Sequence, residues 1–130
     1  MPHARTTLTE LRKQYRLAVV SNEVREKQVR QLGDSNLAPF FENMFLAAEV
    51  GFSKPDPRFF QKVKSQYAGV DPADMLVIGD SLTADIQGAR AANLDSVWYN
   101  PHHALAPTAG GPRYEIDDLA QLVPLLTTNN

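Results

Sequence analysis

Five polar residues of this 130-residue chain are of the types that handle phosphate and hard cations: Ser21, Asn22, Lys54, Asp80 and Asp85. Two carboxylates near one strand end make a natural seat for Mg²⁺, which takes oxygen ligands and keeps several waters. A hydroxyl, backbone N–H groups and an ammonium beside them suit the non-bridging oxygens of a phosphate. Metal, lysine and hydroxyl around one anion would equip phosphoryl transfer, in which charge stabilisation does most of the work. Asp80 and Asp85 alone would equally suit the start of a helix, where the dipole favours acids. It is the company of Ser21 and Lys54 that turns them into a candidate site.

The elements that must position these residues are legible as alternation. Leu17 to Val20 is apolar on both faces, the mark of a buried parallel strand, and it ends in Ser21-Asn22. Glu23 to Leu32 reads as a helix stopped by Gly33. Before that strand, Thr9 to Tyr15 has a helical pattern with Thr7 as N-cap. Phe40, Phe41 and Phe45 mark an apolar turn into a second strand near Met44–Ala48. "GFSKPDP" (Gly51–Pro57) is a loop, since a residue before proline avoids the helical region, and Asp56-Pro57 starts a helix with Pro at its first position. Phe59, Phe60, Val63 and Tyr67 form that helix's apolar stripe.

A third strand, Met75–Ile78, runs out at Gly79-Asp80, and a helix over Thr83–Ala92 carries Asp85. Ser96–Tyr99 is a fourth strand. "NPHHALAPTAGGPR" is then a long loop, Tyr114–Ile116 a short edge strand, and Leu119–Leu126 a last helix into which Pro124 intrudes. Strand and helix in steady alternation predict an α/β fold: one Rossmann-like, three-layer domain over residues 1–130, with a parallel sheet and helices on both faces. Ligands gather at the carboxyl ends of such strands, which is where Ser21, Asn22, Lys54 and Asp80 fall.

Composition narrows the function classes. Hydrophobic residues make up 43% and charged ones 22%, a globular balance. A net charge of −2 with scattered basic residues gives no reason to expect a nucleic acid polymer or an anionic membrane as partner. The absence of cysteine excludes disulfides, thiolate metal sites and a cysteine nucleophile. "MPHARTTLTE" lacks the apolar core of a signal peptide and no stretch reaches membrane-spanning length, so a cytoplasmic protein is expected. His102 and His103 have no carboxylate companion at recognisable spacing and read as a solvated loop pair. Trp98, Tyr99 and the phenylalanines read as core rather than as a stacking platform.

"VVSN", "GFSKPDP" and "VIGDSLTADIQGA" resemble, in order and spacing, the second, third and fourth motifs of the haloacid dehalogenase (HAD) superfamily of hydrolases. Within it the likeness is to the subgroup of pyrimidine 5′-nucleotidases and related small-phosphate hydrolases, whose look "VWYNPHH" also has. The resemblance runs from Leu8 to Leu126. It implies an Mg²⁺-dependent phosphomonoesterase acting on a small phosphorylated metabolite or nucleotide. Ser21 and the amide of Asn22 would bind phosphoryl oxygens, Lys54 would neutralise the nucleophile–phosphate charge, Asp80 would hold the metal, and Asp85 would support the metal or orient Lys54. Glu23 departs from the glycine common after the second motif.

A larger departure concerns the nucleophile. The family's D-x-D motif lies on the strand that comes first in the full domain. Here the aspartates stand at 34, 56, 71, 74, 80, 85, 95, 117 and 118, and no two are separated by one residue. Both that strand and the cap inserted behind it are expected to be missing, so hydrolysis by these residues alone should be weak or absent. The alternatives are a non-catalytic Mg²⁺- and phosphate-binding or self-associating module, and one half of a split or truncated phosphatase. In the family's sheet the missing strand is central. Its loss predicts either direct pairing of the two flanking strands or a homodimer that completes the sheet.

Overall fold

A computed structural model of the chain describes residues 3–105 and 111–128. Part of the loop after the fourth strand, including Ala106–Gly110, therefore lies outside the described residues. Five short strands appear: β1 (Ala18–Ser21), β2 (Asn43–Leu46), β3 (Leu76–Gly79), β4 (Asp95–Tyr99) and β5 (Tyr114–Ile116). The helices are α1 (Ala4–Leu11), α2 (Arg25–Asp34), α3 (Ala47–Val50), α4 (Pro57–Gln66), α5 (Gly88–Ala91) and α6 (Leu122–Thr128). All pairing is parallel, as the doubly apolar runs foretell, but it is divided. β1 pairs with β2 alone, and β3, β4 and β5 form a separate ladder in that order.

Two apolar layers cover the strands. One packs Phe59 and Phe60 of α4 and Ala89 of α5 over Val77, with Ala18, Val20 and Phe45 from the first pair of strands. The other packs Leu11 of α1 and Leu122 of α6 over Val97 and Tyr99, with Leu17 and Leu76 beside them. Successive strand residues point to opposite faces, so Leu76 and Val77 place the two layers on the two sides of the sheet. Each layer draws on both ladders, which makes β1 and β3 the inner strands.

The expected direct pairing of those inner strands does not occur among the described residues. The physical reason is that the layers above and below already bridge the two ladders. Drawing β1 onto β3 would require repacking Phe59 and Phe60, both fully buried.

Several element boundaries differ from expectation for local reasons. Helix α1 starts earlier and ends earlier, and Thr7 lies inside it at 3% exposure, on a buried face with Ala4 and Leu11. Burial of that face, not a Thr7 cap, sets its position. Helix α2 runs through Gly33 and closes at Asn36, whose φ of 58° is left-handed; Leu37 and Asn36 N–H groups bond back to the Leu32 and Gly33 carbonyls. Strand β2 stops at Leu46 because α3 begins there and is ended by Gly51 at φ 97°. His103, read as solvated, has its Nε2 2.9 Å from an Asp117 carboxylate oxygen across the loop, while His102 is exposed. Trp98, Tyr99 and Phe45 are core as expected; Phe40 and Phe41 are half-buried.

The start of α4 follows its sequence signal closely. Asp56 caps it by accepting the Arg58 N–H at 2.9 Å, ahead of Pro57. The Arg58 guanidinium and then the Arg58 N–H hold the Asp56 carboxyl below its ordinary value of 3.8. A carboxyl depressed in the folded state contributes stability that is present above 3.8 and lost as pH falls through the depressed value. Urea midpoints measured on the acid side should therefore fall less steeply for Asp56→Asn, which keeps a cap without the charge. Identical slopes would remove Asp56 from acid unfolding.

Candidate active site

Strand β1 delivers Ser21 and Asn22, the loop after α3 delivers Lys54, and β3 delivers Asp80, with Asp85 in the turn that follows. The Lys54 ammonium bonds Asp85 Oδ1 at 2.5 Å and the Val20 carbonyl at 3.2 Å. Both side chains of this pair are 9% exposed. Asp85 Oδ2 in turn accepts the Ser81 N–H at 3.2 Å. The pair thus ties the carboxyl end of β1 to the turn after β3. A buried ion pair of this kind requires its remaining lone pairs to be satisfied, and the Ser81 amide does that.

Asn22 does something the sequence does not announce. Its side chain accepts the Lys54 N–H at 2.9 Å and donates to the Lys54 carbonyl at 3.0 Å. The lysine's main chain is held at two points, next to the cis peptide bond joining Lys54 and Pro55. The Asn22 side chain is therefore committed to Lys54, leaving its main-chain amide as the group that could face a phosphate. Ser21 is 9% exposed and its Oγ accepts the Glu23 N–H at 3.0 Å, so its hydroxyl proton remains available to donate.

Asp80 is placed differently from Asp85. Its side chain is exposed and makes no hydrogen bond or ion pair among the described residues, whereas its carbonyl accepts Trp98 Nε1–H at 3.0 Å. The indole pins the main chain and leaves the carboxylate free. Residues 82–87 then wind as a wide π turn, with the Ile86 N–H bonded to the Ser81 carbonyl. That turn carries Asp85 back under the strand end. A Cβ at Gly79 would collide with the Asp85 carboxylate, so this glycine is what lets the acid lie there. Gly79, Ser81 and Trp98 escaped the sequence reading; only the dipeptide Gly79-Asp80 gave a signal for one of them.

All five candidate residues therefore meet at one end of the strands, with Lys54 and Asp85 mutually engaged and Asp80 free. Among the described residues no three His, Cys, Asp or Glu side chains are grouped as a metal cage. Mg²⁺ does not need one, since it binds through one or two carboxylates plus waters and substrate phosphate. Asp80 fits that role; Asp85, with both oxygens engaged, fits support of Lys54 better than direct ligation.

The family model described as haloacid dehalogenase-like hydrolase matches residues 1–99. The chain belongs to the haloacid dehalogenase-like hydrolases. It is 38% identical over 119 residues to the pyrimidine 5′-nucleotidase PynA of Streptococcus pneumoniae, covering 92% of this chain and 50% of that one. It is 31% identical over 122 residues to the phosphoserine phosphatase of Thermus thermophilus, covering 93% and 49%. The solved structure of the HAD-hydrolase YfnB of Bacillus subtilis, bound to magnesium, superposes with a TM-score of 0.92 at 36% identity, over 97% of this chain and 55% of that one. This HAD chain spans about half the length of the curated relatives it matches. Its α/β fold with parallel strands is that of its HAD neighbours. No helix among the described residues is long and apolar enough to cross a membrane.

Proposed function

We propose that these residues form the phosphate- and Mg²⁺-binding half of a phosphomonoesterase site for a small phosphorylated metabolite or nucleotide. The observation that carries the reading is Lys54. Its ammonium is buried against Asp85 and the Val20 carbonyl, with the free carboxylate of Asp80 at the same end of the strands.

Lys54 would lower the charge of an approaching phosphate, and the Ser21 hydroxyl and the Asn22 main-chain amide would orient its oxygens. Asp85 holds the lysine for that task, and Asn22 fixes the backbone from which it reaches. Mg²⁺ held by Asp80 would supply further charge neutralisation at the phosphoryl oxygens. The covalent route by which a carboxylate attacks phosphorus needs a nucleophile in line, and Asp80 sits to one side as the metal-facing acid. These residues alone are therefore expected to bind phosphate and Mg²⁺ and to hydrolyse phosphomonoesters weakly or not at all.

The test is Mg²⁺-dependent phosphate release by the purified chain beside Asp80→Asn, with phosphate and Mg²⁺ binding followed by NMR. Binding without release, with Mg²⁺ shifts lost in Asp80→Asn, is the expected result. Robust release that vanishes in Asp80→Asn would make Asp80 a nucleophile and end the half-site reading.

A further inference from the structure

The inner edges of β1 and β3 carry main-chain groups that no strand pairs among the described residues. Their identity follows from alternation. The Leu17 carbonyl accepts the Glu42 N–H on the β2 side, so Ala18 and Val20 turn their main-chain groups the other way. The Val20 carbonyl confirms this by taking the Lys54 ammonium rather than a β2 amide. On the second ladder the Ser96 carbonyl accepts the Arg113 N–H on the β5 side. Val97 therefore faces β3, and by the register Ile78↔Val97, Leu76 and Ile78 present their groups to the open side. Two parallel edges thus look at each other across a slot that apolar layers cover above and below.

We infer that this slot receives one extended strand of another polypeptide, parallel to β1 and β3 and apolar on both faces, and that Lys54 gates it. The inference deepens the half-site reading above by naming its partner. Three observations point to that occupant. The inner strands contribute to both apolar layers, so a strand between them would meet apolar side chains on each face. All ladders in the molecule are parallel, and mixed pairing is disfavoured in such sheets. The chain also superposes at a TM-score of 0.92 on a structure of which it covers only 55%, so the two ladders keep the spacing they have in a longer protein.

The gate follows from valence. A strand that pairs with β1 brings its own N–H to the Val20 carbonyl, which the Lys54 ammonium now holds. Strand addition must therefore release Lys54 toward the newcomer's carboxyl end, where a carboxylate would receive it. Closure of the sheet and reorientation of the lysine become one event.

Hydrogen exchange followed by NMR tests this without any turnover. The probe is a synthetic peptide with a Val/Ile core of about six residues, an aspartate after it and lysines at both ends for solubility. Expected is slowing of roughly tenfold or more at the amides of Ala18, Val20, Leu76 and Ile78, with Val19 and Val77 unchanged because they already sit in ladders. The Lys54→Met/Asp85→Asn chain, which frees the Val20 carbonyl without stranding a charge, should bind the peptide about tenfold more tightly.

No slowing with wild-type chain would overturn the slot, and equal slowing by a peptide with proline at its centre would overturn strand pairing. Protection that rises with chain concentration and needs no peptide would assign the slot to a second copy instead. Weaker binding by the double variant would overturn the gate. Because the wild-type arms stand without the variant, a misfolded variant still leaves the slot decided. Peptide binding with no phosphate or Mg²⁺ binding would sink the phosphatase reading and leave the slot.

Discussion

Replacing Lys54 by Met, or Asp85 by Ala, should each lower the unfolding free energy by about 3 kcal/mol, while Lys54→Met with Asp85→Leu should recover most of the loss. The asymmetry comes from burial. At 9% exposure each member is largely out of water, and a single replacement strands the other's charge there. Removing both leaves an apolar contact, and burying apolar atoms carries no comparable desolvation cost. The Val20 carbonyl and the Ser81 amide, which also bond the pair, face the strand ends and can recruit water. Urea unfolding of the four chains closes the cycle. Additive losses would show that the two charges do not depend on each other. Phosphate binding should behave differently, being lost in both single variants and not regained in the double, because the anion needs the ammonium itself.

Phe60→Ala should cost about 3–5 kcal/mol, the range for deleting a fully buried aromatic ring. Its ring meets Phe59 edge-on at 5.3 Å between centroids. It also lies where a Cβ on Gly88 would come, 2.7 Å from Phe60 Cε2 and 3.2 Å from Pro55 Cα. Phe60, Gly88 and Pro55 therefore form one contact, and Pro55 adjoins the lysine of the site. The loss should appear both in the thermal midpoint and as broadened or shifted Lys54 resonances. A destabilised chain whose Lys54 signals are unmoved would show that the Asn22 clamp alone positions the lysine. Gly88→Ala, which pushes the ring from the other side, should cost a smaller amount, about 1–3 kcal/mol.

Much of this molecule is legible in its residues because the relevant physics is local. Doubly apolar runs at Leu17–Val20 and Met75–Ile78 mark parallel strands within a residue of where they lie. Asp56-Pro57 starts α4 where cap and fixed φ require it. Boundaries slipped where packing outweighed punctuation. The buried face of Thr7 drew α1 forward, and Asn36 took the left-handed position that Gly33 seemed to offer α2.

The five site residues were also readable, as types at strand ends, but their division of labour was not. Only the tertiary structure decided that Lys54 spends its charge on Asp85 and Val20, that Asn22 grips the lysine's backbone, and that Asp80 stays free. It also decided that β1 and β3 stand apart rather than closing on each other. The reason is the same in each case. Periodicity and turn chemistry act over a few residues, whereas the partner of a buried charge or an open strand edge is set by which distant group lies within hydrogen-bond reach once the layers have packed.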